Sequence, residues 1–145
     1  MQSKFSTFGL PGMMLLTFAA MAPPAQAETV AYNADLKGSE EVPAVTSAGV
    51  GPAEITYDTA TKKLTWKVTF GGLSGPATAA HFHGPAEQGK SAGVVVPIAG
   101  ITSPMEGSAT LTDAQAAELA AGKWYINVHT DANKGGEIRS QVVKK

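Results

Sequence analysis

Cysteine is absent from the 145-residue sequence. The chain therefore contains no disulfide, no cysteine-ligated zinc, no iron–sulfur cluster and no thiol nucleophile. An excess of charge of one sign is also missing, since 11 Lys and Arg residues and 12 Asp and Glu residues leave a formal net charge of −1. A surface balanced in this way gives no field that would attract nucleic acid. Any chemistry must come from histidine, carboxylates, hydroxyls, or a metal held by nitrogen and oxygen.

The composition favours one folded domain. Hydrophobic residues make up 43% of the sequence, which is too many for a disordered chain. The 16 glycines and 9 prolines interrupt long helices and argue against a helical bundle. We therefore expect a single loop-rich domain.

The first 27 residues have the features of a secretory signal. Lys4 gives a positive start, residues 10–22 are mostly apolar, and Ala25-Gln26-Ala27 supplies the small residues that signal peptidase accepts. The apolar run is shorter than the roughly 20 residues needed to span a bilayer. The sequence thus predicts a signal peptide over residues 1–27 and a mature domain over residues 28–145. We expect that domain to be periplasmic or secreted, with no membrane span after cleavage.

Apolar and polar side chains alternate along the rest of the chain. The alternation starts at Val30 and repeats around residues 53–57 and 64–70, with a turn at residues 58–62 between the last two. A period of two is typical of strands with one buried face. Seven or eight such strands, with turns about every ten residues, predict an all-β domain: an antiparallel Greek-key sandwich or flattened barrel.

Other segments give more local predictions. Residues 94–98 form a continuous apolar run, as expected of a strand covered on both faces, and a weaker strand follows at residues 106–111. Thr112 and Gln115 indicate a capping box that opens one short helix, and Gly122 suits its left-handed end. A final strand is expected over residues 138–143, paired with the strand before it.

The three histidines lie in two motifs. His81 and His83 are two residues apart on a predicted strand, so their side chains share one face, roughly 6.5–7 Å apart at Cα. His129 ends another predicted strand, on the face opposite Trp124, Ile126 and Val128. If the two strands are neighbours, three imidazoles meet and can hold one metal ion.

Imidazole nitrogen suits copper and zinc, and the order of divalent affinities favours copper, with zinc as the alternative. The candidates for a further ligand, or for a group that hydrogen-bonds to a ligand, are Glu137, Asp131, Glu87 and, for Cu(I), Met105. The competing interpretation is that the histidines are structural residues with satisfied hydrogen bonds. Asp131 and Glu137 also flank a turn at residues 133–136, where carboxylates are more often solvated hairpin ends than a general acid and base.

Several motifs match a known family. They are Glu40-Glu41-Val42-Pro43, Gly72-Leu73-Ser74-Gly75, Ala80-His81-Phe82-His83-Gly84-Pro85-Ala86, and Asn127-Val128-His129-Thr130 followed by Gly135-Gly136-Glu137-Ile138-Arg139-Ser140-Gln141. In these motifs the chain resembles the CHRD domain, a module named for chordin and also found alone in secreted bacterial proteins. The resemblance covers almost all of residues 28–145 and departs at Ser140, where the family pattern usually has glycine. It implies an extracytoplasmic all-β domain whose biochemical role is poorly defined.

Three functional hypotheses follow. The first is an exported protein that uses His81, His83 and His129 in copper binding, delivery or protection, without catalysis being required. The second is a metal-free extracellular module that binds a protein partner. The third is copper-dependent redox chemistry, because the histidine motifs resemble in pattern the copper ligands of copper/zinc superoxide dismutase. Three histidines cannot supply both metal sites of that enzyme, so a full dismutase is not expected.

Overall fold

Nine strands pair antiparallel in one strongly curled, barrel-like sheet in the computed structural model, which describes residues 26–145. The predicted signal peptide lies almost wholly outside the described residues and stays a prediction. Within residues 26–145, no helix has the length and apolar character needed to cross a membrane. The strands are β1 (Thr29–Lys37), β2 (Val50–Asp58), β3 (Lys63–Val68), β4 (Ala77–His83), β5 (Val94–Pro97), β6 (Met105–Thr110), β7 (Tyr125–Thr130), β8 (Ile138–Gln141) and β9 (Val143–Lys144).

The order of strands across the sheet is β5-β4-β7-β8-β1-β2-β3-β6, and β9 pairs with β1. The two sides of this order approach each other across the core, where the rings of Trp66 on β3 and Phe82 on β4, the strands next to the two ends, lie 5.3 Å apart. The prediction of an all-β antiparallel flattened barrel is therefore confirmed.

The alternating segments form strands where the sequence predicts them. On β2 and β3 every second residue is buried, including Ile55 and Trp66. The turn between these strands is closed by Asp58, whose carboxylate accepts hydrogen bonds from the backbone N–H groups of Ala60 and Thr61 at 2.9 and 2.8 Å. Asp58 pairs with Lys63 across the ladder, so the predicted hairpin is confirmed.

The one α-helix within residues 26–145, α1 (Asp113–Ala120), also forms where its capping residues predict it. The Thr112 hydroxyl accepts from the Gln115 backbone N–H at 3.2 Å, and the Gln115 side chain accepts from the Thr112 N–H at 2.9 Å. Gly122 follows the helix with φ of +72°, a left-handed conformation that glycine adopts readily. Leu119 anchors the helix on the core, because its side chain is fully buried.

Two strand predictions need correction. The run at residues 94–98 is not covered on both faces, because within β5 only Val96 is buried and Val94 is 51% exposed. β5 also lies at one end of the strand order and pairs only with β4. The expected last strand at residues 138–143 is split at Val142, whose N–H donates to the Trp124 carbonyl and whose side chain is buried. The chain therefore stops pairing with β7 at the end of β8, and the residues after Val142 pair with β1 as β9.

Candidate metal centre

The histidine face is built by the pairing of β4 with β7. In the antiparallel register His81 lies opposite Asn127, His83 opposite Tyr125, and Ala79 opposite His129. The alternation sends Phe82, Ile126 and Val128 into the core and the histidines to the other face of the sheet. Every residue of β7 is buried, since loops cover the face that the core does not.

The structure brings all three histidines together. Their ring nitrogens supply one atom each to a group in which all atoms lie within 4.8 Å of one another. His81 Nδ1 and His129 Nε2 are 3.1 Å apart. Three nitrogens bound tetrahedrally to one ion at about 2.0–2.1 Å would be about 3.3 Å apart. The spacing therefore fits a metal site after modest side-chain rotation, and His81, which is only half-buried, is the route to solvent.

Main-chain carbonyls decide which nitrogen is free on two of the rings. His129 Nδ1 is 2.8 Å from the Lys134 carbonyl, and His83 Nδ1 is 3.0 Å from the Ala92 carbonyl. A carbonyl only accepts, so both Nδ1 atoms carry the proton, and in the neutral rings both Nε2 atoms carry a lone pair. Metal-binding histidines are commonly fixed by a hydrogen bond of this kind on the other ring nitrogen.

The surroundings favour the neutral rings of His81 and His83. Burial lowers the pKa of the His81 ring, and the neighbouring His129 and His83 lower it further. Burial also lowers the pKa of His83, although hydrogen bonds to the Ala92 carbonyl and the Asn127 side chain act in the opposite direction. Neutral imidazole is the form that coordinates a metal.

A stack of side chains holds His83 in place. Its ring lies parallel to that of Tyr125, with ring centroids 4.7 Å apart, and the Arg139 guanidinium lies 3.4 Å from the Tyr125 centroid on that ring's face. Arg139 also donates to the Lys90 carbonyl, and the Tyr125 hydroxyl donates to the Ala92 carbonyl at 3.1 Å. These contacts tie the loop that carries Lys90 and Ala92 to the histidine face.

Asn127 and Glu41 also belong to this region, and the sequence reasoning did not select either of them. Asn127 Oδ1 is 3.0 Å from the Nε2 atoms of both His83 and His129. Glu41 is 6% exposed and faces the same amide; burial raises its pKa to about 7, against the lowering effects of Arg139 and Asn127. The period of two along β7, which puts Asn127 beside His129, was the available signal for Asn127.

The additional ligands suggested by the sequence lie elsewhere. Glu137 is fully buried, and its carboxylate accepts hydrogen bonds from Ser47, Thr130 and Asn133 and two from Ser74, at 2.6 to 3.2 Å. Burial would raise the pKa of Glu137, but hydrogen bonds from Ser74, Thr130 and Ser47 lower it to about 2. Glu137 thus ties two loops and the 131–136 turn to the barrel.

The other three candidates also lie outside the group of three histidines. Asp131 is exposed and is not a member of the histidine group. Glu87 is exposed and pairs with Lys123 at 3.3 Å. Met105 is fully buried in the hydrophobic core on β6, opposite Val68 of β3.

Fold and site together define an antiparallel β-barrel domain with three histidines gathered on its outer face. The family model for the CHRD domain matches residues 32–142, and the chain belongs to that family. Searches of curated proteins and of solved structures gave no match.

Proposed function

We propose that this CHRD-domain protein binds one metal ion, preferentially copper, through His81, His83 and His129. The protein would act outside the cytoplasm in copper binding, delivery or protection. The observation that carries the proposal is the convergence of one nitrogen from each histidine within 4.8 Å. The predicted signal peptide supports the location.

The hydrogen-bond pattern supports a cation rather than a set of structural histidines. The Nε2 atoms of His83 and His129 are left with lone pairs that face Asn127 Oδ1, which is itself an acceptor. Without an ion, the ring of His81 can offer one proton from Nδ1 to His129 Nε2. That single proton leaves His83 Nε2 facing another acceptor, which is unfavourable in a buried position. A metal ion at the centre would satisfy all of these atoms.

Copper is preferred on chemical grounds. Nitrogen sites bind Cu(II) more tightly than Zn(II) in the general order of divalent affinities. A protein outside the cytoplasm also meets metals that cytosolic buffering does not control. Zinc is the alternative occupant, and it would use the same three nitrogens.

A competitive titration tests the proposal. The purified protein is titrated with Cu(II), Cu(I) and Zn(II) in the presence of a competing chelator, beside His81→Ala and His129→Ala. Each variant should lose at least about tenfold in copper affinity, as expected when one ligand of three is removed. The matched control is Thr78→Ala, an exposed position on the same strand, which should leave the affinity unchanged.

The competing functions predict different results. Equal affinities for the parent and both histidine variants would support the metal-free interaction module instead. Superoxide or peroxide turnover by the copper-loaded protein, absent without copper, is what the redox hypothesis requires. Metal analysis of protein recovered from its own compartment identifies the native ion, and the mass of the mature chain tests cleavage after Ala27.

A further inference from the structure

We infer that Asn127 supplies a fourth ligand to this centre through its side-chain oxygen, and that Glu41 and Gly136 hold the amide in the orientation this requires. The inference rests on the proposed function. It adds an oxygen donor to the three nitrogens and identifies the residues that position it.

The Asn127 oxygen lies close to two of the three nitrogens, at a distance that suits a fourth ligand. Oδ1 is 3.0 Å from His83 Nε2 and 3.0 Å from His129 Nε2. In a tetrahedral site with bonds of about 2.0–2.1 Å, each donor lies about 3.3 Å from each of the others. Because the Ala92 and Lys134 carbonyls take the Nδ1 protons, no proton of the neutral rings lies between Oδ1 and either Nε2 atom. With the amide in this orientation, three acceptor atoms meet, and a shared cation or an added proton would stabilise them.

The surroundings of the Asn127 amide nitrogen, Nδ2, indicate how the amide is oriented. A Cβ atom at Gly136 would lie 2.6 Å from Asn127 Nδ2 and would also collide with Glu41 Oε1, so these two atoms flank the same small space. Glu41 Oε1 is buried and has no hydrogen-bond partner of ordinary geometry among residues 26–145. An ionised Glu41 carboxylate only accepts hydrogen bonds, so in that form it favours the amide NH₂ on its own side and leaves the oxygen toward the histidines.

Gly136 makes this arrangement possible. Its φ of +125° lies in a region that other residues rarely adopt, and the absence of a side chain lets Glu41 and Asn127 approach. The same turn carries the Lys134 carbonyl that fixes the tautomer of His129. One short segment therefore orients two of the four proposed ligands.

An oxygen ligand has a chemical consequence for the choice of ion. Amide oxygen is a harder donor than imidazole and suits divalent ions, whereas Cu(I) prefers soft thiolate and thioether ligands. Loss of the Asn127 oxygen should therefore weaken Cu(II) binding more than Cu(I) binding. A purely structural role for Asn127 would weaken both to the same extent.

The test compares Asn127→Ala and Asn127→Asp with the parent protein. We expect Asn127→Ala to lose at least about tenfold in Cu(II) affinity, with a much smaller loss for Cu(I), and to change the Cu(II) electron paramagnetic resonance spectrum. Asn127→Asp keeps an oxygen at the same place and should bind Cu(II) as tightly as the parent or more tightly, with an altered spectrum. Thr78→Ala is again the matched control.

Several outcomes would overturn the inference. An Asn127→Ala protein with equal or tighter Cu(II) affinity and the parent spectrum would mean that the amide NH₂ faces the histidines and competes with the ion. If Asn127→Ala does not fold, an Asn127→Asp protein with the parent spectrum would have the same meaning. Failure of the proposed function looks different, because the parent itself would then bind no copper or would bind it independently of the histidines.

Discussion

The buried carboxylate of Glu137 should be one of the main stabilising groups of the barrel. It accepts five hydrogen bonds, from the side chains of Ser47, Ser74, Thr130 and Asn133 and from the Ser74 backbone N–H. A hydrogen bond to a charged group contributes about 1.5–3 kcal/mol. Glu137→Gln keeps the shape but removes the charge and puts an NH₂ group against at least two of these donors.

We expect Glu137→Gln to lower the free energy of unfolding by about 2–4 kcal/mol, because part of the hydrogen bonding survives by rotation of the hydroxyls. For a domain of this size such a loss lowers the melting temperature by roughly 10–15 °C. Urea unfolding and calorimetry at pH 7 measure both quantities. Glu54→Gln, an exposed position on β2, is the control and should change stability by less than about 0.5 kcal/mol.

The pH dependence gives a second measure of the same group. The pKa of Glu137 is about 2 in the folded protein. In an unfolded chain we expect a glutamate pKa of about 4.3, the value found in model peptides. The stabilisation is therefore fully present above about pH 4.5 and is lost as the pH falls toward 2. The stability difference between the parent and Glu137→Gln should shrink over this range. A difference below about 0.5 kcal/mol at pH 7, or one that is the same at pH 7 and pH 3, would refute the reasoning.

Two further predictions concern the 131–136 turn and the helix. Gly136→Ala should destabilise the protein by about 2 kcal/mol or more and weaken copper binding, whereas a Cβ at the control position Gly135 meets nothing within 4 Å, so Gly135→Ala should do neither. Urea unfolding measures the stability, and the chelator titration measures copper binding. Parent-like copper binding by Gly136→Ala would contradict the role of that turn. Thr112→Ala should cost about 1 kcal/mol of stability through loss of the helix cap, compared by urea unfolding with Thr46→Ala on an exposed loop, and equal stabilities would argue against the capping box.

The sequence predicts those parts of the fold that depend on near neighbours in the chain. The hairpin at residues 58–62 and the capping box at Thr112 each rest on contacts within a few residues, so local chemistry determines them. The position of β5 at the end of the sheet and the break between β8 and β9 depend instead on which distant segments pair with each strand. Nothing in the apolar run at residues 94–98 indicates that one of its faces will be left open to solvent, so the burial of that strand could not be predicted.

The same division applies to the candidate site. That His81 and His83 share a face follows from the pleat, and the sequence predicts it. That His129 joins them requires β4 and β7 to pair across 48 residues, which the sequence could state only as a condition. Glu137 was a reasonable ligand candidate by residue type, but its carboxylate accepts hydrogen bonds from serine hydroxyls of two distant loops and from the Thr130 hydroxyl at the end of β7.

Two main-chain carbonyls that are central to the site could not be predicted from the side chains in the sequence. The carbonyls of Ala92 and Lys134 determine which nitrogen of His83 and of His129 is free, and every residue type carries such a carbonyl. Only the path of the two covering loops places these groups against the rings. Asn127 and Glu41 are buried in the same region, and one nitrogen of each histidine lies within 4.8 Å of the others. Substitutions that displace either loop should therefore weaken metal binding even where all three histidines remain.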